Sequence, residues 1–559
     1  MLLVSLNAKF VHSTLALHSI KRYNQEYSNI KIKEYTINNN LDFILDDIYK
    51  ENEDVVCFSC YIWNINETIE ICKNLRKISK CEILLGGPEV SFDPEEYMNY
   101  VDYVIRGEGE LAFKDFIQYK LGLKKIEDVS SLTYNKGGIV SNRQSLPINL
   151  NDLPFVYNDL KKFENRILYY ETTRGCPFNC QYCLSSTFNG VRFLNIKRVY
   201  EELSFFLDNK VKQVKFIDRT FNASSEHRYK IWEFIIKSDN DITNFHFEIA
   251  ADLFEQRDFD LLKTARKGLI QFEIGIQTTN GKTLELVARK TNLKKVFENI
   301  NKIFKMGNIH LHLDLIAGLP SENYESFKNS FNDVYKMQCE QLQLGFLKVL
   351  KGSGMRKNAN ALGLMYREKA PYEVLRTKEI SFKELSILKG IEELVDIYYN
   401  SNRFHTSIMY LGGLFKEYFD FYLALHEFFI SMDYHKVSHK KQTYYTILQE
   451  FYSTYFEKDD NILIELLLFD LYSNENIKSV PDILNIHEKL LFDEKDFTYI
   501  TKYTRSQIIK NTHSEKFNID IIHFSKNNEI IHGEFIYIFD YTKTRENNYD
   551  NAYIWRKYE

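Results

Sequence analysis

The sequence predicts an α/β protein: a Rossmann-like doubly wound parallel sheet, a central (βα)6 partial TIM barrel, and a C-terminal mostly helical domain with a terminal β-hairpin. Three observations carry this. Short, continuously apolar strands alternate with amphipathic helices over residues 1–120, the pattern of a parallel sheet covered on both faces. The strand-then-helix rhythm restarts near residue 166 and yields six strands, too few to close an eight-stranded barrel. Beyond about residue 361 the rhythm stops and helical periodicity replaces it.

In the first segment, residues 2–6, 30–35, 55–59, 82–85 and 103–105 are strand-like, with helices over 13–27 and 67–78. Parallel sheets bind ligands at the carboxyl ends of their strands. Here those ends hold Ser5-Leu6-Asn7, Ser59-Cys60-Tyr61, Gly86-Gly87-Pro88-Glu89 and Arg106-Gly107-Glu108-Gly109-Glu110, small or polar runs along which a flat cofactor can lie. Residues 121–165 read as connecting structure, with Gly137-Gly138 at a turn. The barrel strands are expected at 166–170, 211–218, 245–250, 270–276, 309–316 and 341–347. In the last third, Leu388, Ile391, Leu394, Val395 and Tyr398 share a helical face, and 462–472 is a second helix. Phe517, Ile519 and Ile521 alternate with polar residues, 535–541 is strand-like, and Asn527-Asn528 between them suggests the hairpin. The domains expected are 1–140, a linker at 141–165, 166–350, and a mostly helical accessory domain at 351–559.

The bulk composition narrows the function. With 559 residues, the chain is too long for one core. A net charge of −5 gives no electrostatic footprint for nucleic acid. No apolar run reaches the roughly 20 residues of a membrane span, and no signal peptide is read at the start. Eight cysteines, unevenly spaced, fit a reducing cytoplasm rather than a disulfide framework. Cys57 and Cys60 lie on or beside a buried strand and read as packed small hydrophobes.

The most informative run is Thr-Thr-Arg-Gly-Cys-Pro-Phe-Asn-Cys-Gln-Tyr-Cys, which sets Cys176, Cys180 and Cys183 on a loop after an apolar strand. Thiolates at C-x3-C-x2-C match three irons of a 4Fe–4S cluster and leave the fourth iron open, whereas a cluster that only carries electrons normally has four. A closed zinc site wants a fourth ligand, and no Cys or His follows within forty residues of Cys183. The spacing, with aromatic Tyr182 before the last cysteine, resembles the radical S-adenosylmethionine (radical SAM) enzymes.

That resemblance implies that the open iron chelates the amino and carboxylate groups of S-adenosylmethionine, whose reductive cleavage gives a 5′-deoxyadenosyl radical. It implies that Tyr182 lies against the adenine. At the second strand end, Phe216-Ile217-Asp218-Arg219-Thr220-Phe221-Asn222 departs from the usual Gly-Gly-Glu-Pro, with Asp218 or Thr220 as candidates for the methionine amino group. Glu248, Glu273 and Gln277 are candidates for the ribose hydroxyls, and Arg289 a looser one for the carboxylate. Asp314-Leu-Ile-Ala-Gly-Leu-Pro320 resembles the fifth-strand motif that frames the adenine. For each carboxylate the alternative is a salt bridge inside the barrel.

The first domain resembles the cobalamin-binding module that precedes many radical SAM enzymes, through its βα pattern, Gly86-Gly87 and the run around Glu108. Ser59 and Asn64 are candidates to touch the corrin or its tail. The cobalt-ligating Asp-x-His-x-x-Gly is missing; Asn7-Ala8-Lys9-Phe10-Val11-His12 stands in its place, and His12 is expected to pack or to cap the first helix.

The reading expected is therefore a cobalamin-dependent radical SAM enzyme acting on a small-molecule or peptide substrate. It would use a 4Fe–4S cluster, S-adenosylmethionine and cobalamin, with a reductant such as flavodoxin or ferredoxin, and methyl transfer to an unactivated carbon as the leading reaction. A tRNA methylthiotransferase would need a second cysteine triad and a basic tail. A non-catalytic iron–sulfur or cobalamin binding protein would leave the in-strand carboxylates without a ligand.

Overall fold

The computed structural model describes residues 1–27, 29–187, 190–456, 461–477, 479–486, 510–541 and 552–557. It divides into two compact units. The first takes in Met1–Ser330, Met337–Cys339 and Leu344–Leu385; the second takes in Phe331–Lys336, Glu340–Gln343 and Ser386–Glu559.

The first sheet contains β1 (Leu2–Asn7), β2 (Lys31–Thr36), β3 (Val55–Ser59), β4 (Glu82–Gly86), β5 (Tyr103–Ile105), β6 (Leu132–Asn135) and β7 (Ile139–Ser141), in the order β2-β1-β3-β4-β5-β6-β7. β1 to β5 are parallel; β6 and β7 run antiparallel at the edge. Every residue of β1 and β3 is buried, because helices cover both faces. Leu2, Val4 and Leu6 enter one core while Leu3 enters the other, as the two-residue period of a strand requires. The order reverses at β1, whose chain leads to β2 on one side while β3 lies on the other. That is the switch point at which such sheets open a ligand crevice.

The stretch expected as connection differs from the expectation. Leu132, Thr133 and Tyr134 are buried beside β5, so the chain extends the sheet as a hairpin that turns at Gly137 with φ +69°.

The second sheet uses β8 (Leu168–Tyr170), then, beyond the short antiparallel pair β9 (Thr173–Gly175) and β10 (Val191–Phe193), β11 (Gln213–Phe216), β12 (Asn244–Ile249), β13 (Ile270–Gln277), β14 (His310–Ala317) and β15 (Gln341–Phe346). Its order, β15-β14-β13-β12-β11-β8, follows the chain from one edge to the other, as an open (βα)6 barrel does. Burial alternates strictly along β13. Ile270, Phe272, Ile274 and Ile276 face the helices, while Gln271, Glu273, Gly275 and Gln277 share the opposite face. Lys215 from β11 and His246 from β12 reach Glu273, so that polar face is the barrel interior. A small antiparallel pair, β16 (Met365–Tyr366) and β17 (Val374–Arg376), follows.

The second unit is mostly helical. The helix Ile462–Asn474 is buried along most of its length, including two acidic residues. Its Asp470 accepts the backbone N–H groups of Thr406 and Ser407 at 3.1 and 2.9 Å, tying the start of the helix His405–Gly413. The terminal hairpin consists of β18 (Thr512–Ile519) and β19 (His532–Asp540), joined by the helix Ile521–Asn527 and extended by β20 (Tyr553–Lys557). Ile521, expected to continue the strand, begins that helix because Asp520 caps it through the N–H of His523 at 3.1 Å.

Candidate active site

The cysteine loop leaves β8 over a buried carboxylate. Asp218 accepts the N–H groups of Thr172 and Thr173 at 2.7 and 3.0 Å and the Thr172 hydroxyl. Gly175 then turns at φ +110°, pressed on the Gly190 carbonyl where no Cβ fits. The Cys183 N–H donates to the Cys180 carbonyl at 3.0 Å, Gln181 N–H to Val287 at 2.9 Å, and Met355 N–H to Gln181 at 2.9 Å, so the loop is held from three directions.

All three cysteines are free thiols, and each sulfur meets a polar group. Thr220 Oγ1 lies 3.4 Å from Cys176 Sγ, Ser185 N–H donates to Cys183 Sγ at 3.4 Å, and Arg289 Nη1 reaches Cys180 Sγ at 3.8 Å. Burial pushes the Cys180 thiol up, with Arg289 and the Tyr182 hydroxyl acting against it. Beside the loop, Arg289 also donates to Tyr182 Oη at 2.9 Å and to the Gly275 carbonyl. Two buried polar atoms here lack a hydrogen-bond partner among the described residues: Arg289 Nε and Gln277 Oε1. Gln277 sits at a bulge with φ +71°, its side chain folded into the space a Gly275 side chain would fill. Phe178, Ala250, Ile274 and Ile276 enclose a small cavity against Arg289. Unpaired buried donors and acceptors cost roughly 1–3 kcal/mol each. Next to three free thiols they fit a cluster loop with a polar ligand on top of it.

Several expected ligands have other duties. Asp218 is fully buried, with its donors all from the loop it braces, and burial pushes it up to about 7. It is a structural residue, not an open contact for an amino group. Glu273 meets Lys215 Nζ and His246 Nε2, each at 2.9 Å. Burial works to raise Glu273, but His246 and Lys215 hold it down to about 2. Asp314 lies 3.1 Å from His312 Nε2; burial pushes it up and His312 opposes. Glu273, His312 and Asp314 have metal-type ligand atoms within 4.8 Å of one another, but the Lys215 ammonium already supplies the local positive charge. They form the barrel-interior salt bridges that were the alternative for these carboxylates.

A cavity of about 930 Å3 joins the two sheets, at the upper end of the roughly 300–1,000 Å3 of small-molecule and cofactor sites. Asn7, Ser59, Gly86 and Gly87 line it from the carboxyl ends of the first sheet; Leu184, Ser185, Lys215 and Glu248 line it from the cysteine loop and barrel. At Gly87, φ is +110° and a Cβ would lie 2.5 Å from the Cys60 carbonyl, so only glycine lets this loop close. Tyr61 and Trp63 stack at 4.3 Å on the cavity wall. Glu108 also lines it, paired with Arg192 and accepting the Ile148 N–H at 3.1 Å. An open bed at the strand ends with a glycine floor fits a flat cofactor.

Asn64 does not reach this space. It is wholly buried, its amide donates to the Leu6 and Ser59 carbonyls at 3.0 Å, and its oxygen accepts the Tyr61 N–H at 2.8 Å. It shapes the loop after β3. His12 does not cap a helix either: Thr14 holds that position, and His12 Nδ1 lies 2.5 Å from Tyr169 Oη across the cavity wall. Cys57 and Cys60 are buried, and burial pushes Cys57 up to about 12, as packed thiols behave. Sequence reasoning passed over Lys215, His246 and His312. Their inward position follows from the same alternation as Glu273, but registering it requires strand boundaries correct to one residue.

Comparisons with known proteins agree with this geometry. The B12 binding domain profile matches residues 1–117, the Radical SAM superfamily profile matches 170–334, and a protein family of unknown function (DUF4080) matches 360–539. The chain is 25% identical over 333 residues to the uncharacterized methyltransferase PH0819 of Pyrococcus horikoshii, an alignment covering 57% of this chain and 72% of that one. It is 25% identical over 316 residues to the cobalamin-dependent radical SAM methyltransferase TokK of Streptomyces tokunonensis, covering 50% of this chain but only 44% of TokK. Among solved structures, OxsB, a cobalamin-dependent S-adenosylmethionine radical enzyme with aqua-cobalamin bound, superposes with a TM-score of 0.61 at 13% identity, over 86% of this chain and 82% of OxsB; at that identity the likeness is one of fold. A radical SAM domain implies a 4Fe–4S cluster and S-adenosylmethionine. With both domains matched and the three thiols on one braced loop, the chain carries a radical SAM domain at residues 170–334 preceded by a B12-binding domain at residues 1–117.

Proposed function

We propose that this protein is a cobalamin-dependent radical SAM methyltransferase that modifies a small acceptor held between its two sheets. The observation that carries this reading is the single cavity of about 930 Å3 whose walls include both the first-sheet strand ends and the cysteine loop. A methyl acceptor there meets both cofactors without leaving the site. The cluster would supply a substrate radical from S-adenosylmethionine, and cobalamin would supply the methyl group.

The chain's own residues do the rest. Cys176, Cys180 and Cys183 hold the cluster, with N–H groups of Arg289 and Ser185 directed at the Cys180 and Cys183 sulfurs and Thr220 Oγ1 beside Cys176. Hydrogen bonds to thiolates favour the charged form and raise a cluster's potential. Arg289 Nε and Gln277 Oε1 offer their free atoms to S-adenosylmethionine, and Tyr182 is held by Arg289 beside it. Ser59, Gly86 and Gly87 line the cobalamin bed. The electron comes from an external reductant of the flavodoxin or ferredoxin class. Residues 1–140 and 166–350 make up the catalytic pair, 141–165 joins them, and 351–559 is an accessory domain.

Against the tRNA methylthiotransferase alternative, Cys57, Cys60, Cys72 and Cys81 lack the loop spacing of a second triad, and the first three are buried. The test is anaerobic turnover with S-adenosylmethionine carrying a deuterated methyl group. Formation of S-adenosylhomocysteine together with 5′-deoxyadenosine supports the reading; 5′-deoxyadenosine alone, with added cobalamin and the natural acceptor, contradicts methyl transfer.

A further inference from the structure

The charges on the cavity wall can be accounted for almost completely. Arg174 pairs with Glu171 at 2.8 Å and with Glu110 at 3.0 Å, and Arg192 pairs with Glu108. Arg198 pairs with Glu202 at 2.7 Å, and Lys215 pairs with Glu273 at 2.9 Å. Arg219 and Glu248 are left over. Both line the cavity, and among the described residues neither side chain has a hydrogen bond or an ion pair.

These two are neighbours in the barrel. Arg219 follows β11 and Glu248 lies on the adjacent β12, so both sit at the carboxyl end of the sheet. They sense each other electrostatically, yet no ion pair closes within 4.0 Å. Opposite charges in one cavity attract strongly at the dielectric of a protein interior. Two that stay apart, while every other pair on the same wall has closed, leave a gap for a ligand carrying both complementary charges. Tyr61 of the first domain lines the same cavity as Arg219, and the chain neighbour Thr220 lies 3.4 Å from Cys176 Sγ. The gap therefore lies between the cobalamin bed and the cluster loop.

We propose that Arg219 and Glu248 form the acceptor site, and that the acceptor is a small amino-acid-like zwitterion whose carboxylate meets Arg219 and whose ammonium meets Glu248. This rests on the function proposed above. S-adenosylmethionine carries the same zwitterion, but in a radical SAM protein its amino and carboxylate groups belong on the open iron of the cluster. The free pair at the strand ends, which lines the cavity without being a cluster ligand, is therefore left for the second substrate. A guanidinium suits a carboxylate because it donates two parallel hydrogen bonds.

The test is calorimetric binding to the reconstituted protein. The probes are the twenty L-amino acids, their N-acetyl derivatives, which lack the ammonium, and their amides, which lack the carboxylate. At least one free amino acid is expected to bind, with its two derivatives bound tenfold or more weaker. Arg219→Gln should bring the amino acid down to the level of its amide, and Glu248→Gln to that of its N-acetyl form, while affinity for S-adenosylmethionine stays within twofold in both. Among the described residues neither side chain has a hydrogen-bond or ion-pair partner, so neither substitution removes such a contact. Absence of binding by every free amino acid overturns the proposal. So does a tenfold loss of S-adenosylmethionine affinity in Arg219→Gln, or in Glu248→Gln as a ribose contact of Glu248 would give, because either assigns the pair to the cofactor. Iron and cobalt contents of the same sample report on the function reading separately, because amino-acid binding is read without turnover.

Discussion

The Arg289 guanidinium donates to the Tyr182 hydroxyl at 2.9 Å and reaches the Cys180 sulfur at 3.8 Å. One side chain from beyond β13 thus holds both the aromatic and a thiol of the cysteine loop, and still has a buried Nε to offer. Replacing it by leucine removes charged hydrogen bonds worth about 1.5–3 kcal/mol each. Arg289→Leu should bind S-adenosylmethionine roughly tenfold or more weakly and lose cluster iron faster in air, measured by equilibrium dialysis and by the decay of the cluster absorbance. Arg289→Lys, which keeps the charge but not the fork, should recover only part of either.

Glu273 gives a pH prediction. Its folded carboxyl is held down to about 2 against an unfolded value of roughly 4.3, so its ion pairs stabilise the fold fully above about pH 4.3, and that contribution is lost as pH falls through about 2. Wild type should exceed Glu273→Gln by on the order of 2–3 kcal/mol at pH 7, and the difference should shrink steadily below pH 4.3 in urea unfolding.

Lys351 is nearly fully buried, yet its ammonium meets Tyr97 Oη at 2.8 Å and Glu96 at 2.5 Å, while the next residue, Gly352, has φ +79° against the Phe92 ring. This contact braces the loop after β4 from the chain that follows β15. Lys351→Met should cost about 1–3 kcal/mol through the unpaired groups it leaves, read as a lower urea midpoint, and should weaken cobalamin binding, because Phe92 lines the cavity.

Cys57 is the negative control among the thiols. It is buried on β3 with its thiol pushed up to about 12. Cys57→Ala should leave iron and cobalt contents unchanged and lower stability by about 1 kcal/mol through lost packing. Loss of a metal would show that the first domain carries a ligand.

The alternation of apolar runs made both sheets legible, because fully buried strands and amphipathic helices leave different periods in the sequence. The cysteine loop was legible for a different reason: its chemistry lies in a short local spacing. Edge strands β6 and β7 were not visible as strands, since exposed Ile139 and Val140 share a hairpin with polar neighbours and only β5 defines their register. The duties of Asp218 and Asn64 were hidden too. A polar residue at a strand end looks the same in sequence whether it faces a ligand or the backbone of its own loop. Pairing decides this, and the pairs span long separations, such as Thr172 with Asp218 or Lys215 with Glu273. The leftover Arg219 and Glu248 emerge only when every other charge on the wall is matched.

The most direct measurement is anaerobic reconstitution of the wild-type chain and of the Cys176→Ala, Cys180→Ala, Cys183→Ala triple variant, each with added cobalamin, followed by iron, sulfide and cobalt analysis. Wild type should hold four irons, four sulfides and one cobalt per chain, and the variant should lose the iron while keeping the cobalt and the fold. Iron retained by the triple variant, or cobalt absent from a wild-type sample that holds its cluster, would contradict the two-cofactor site.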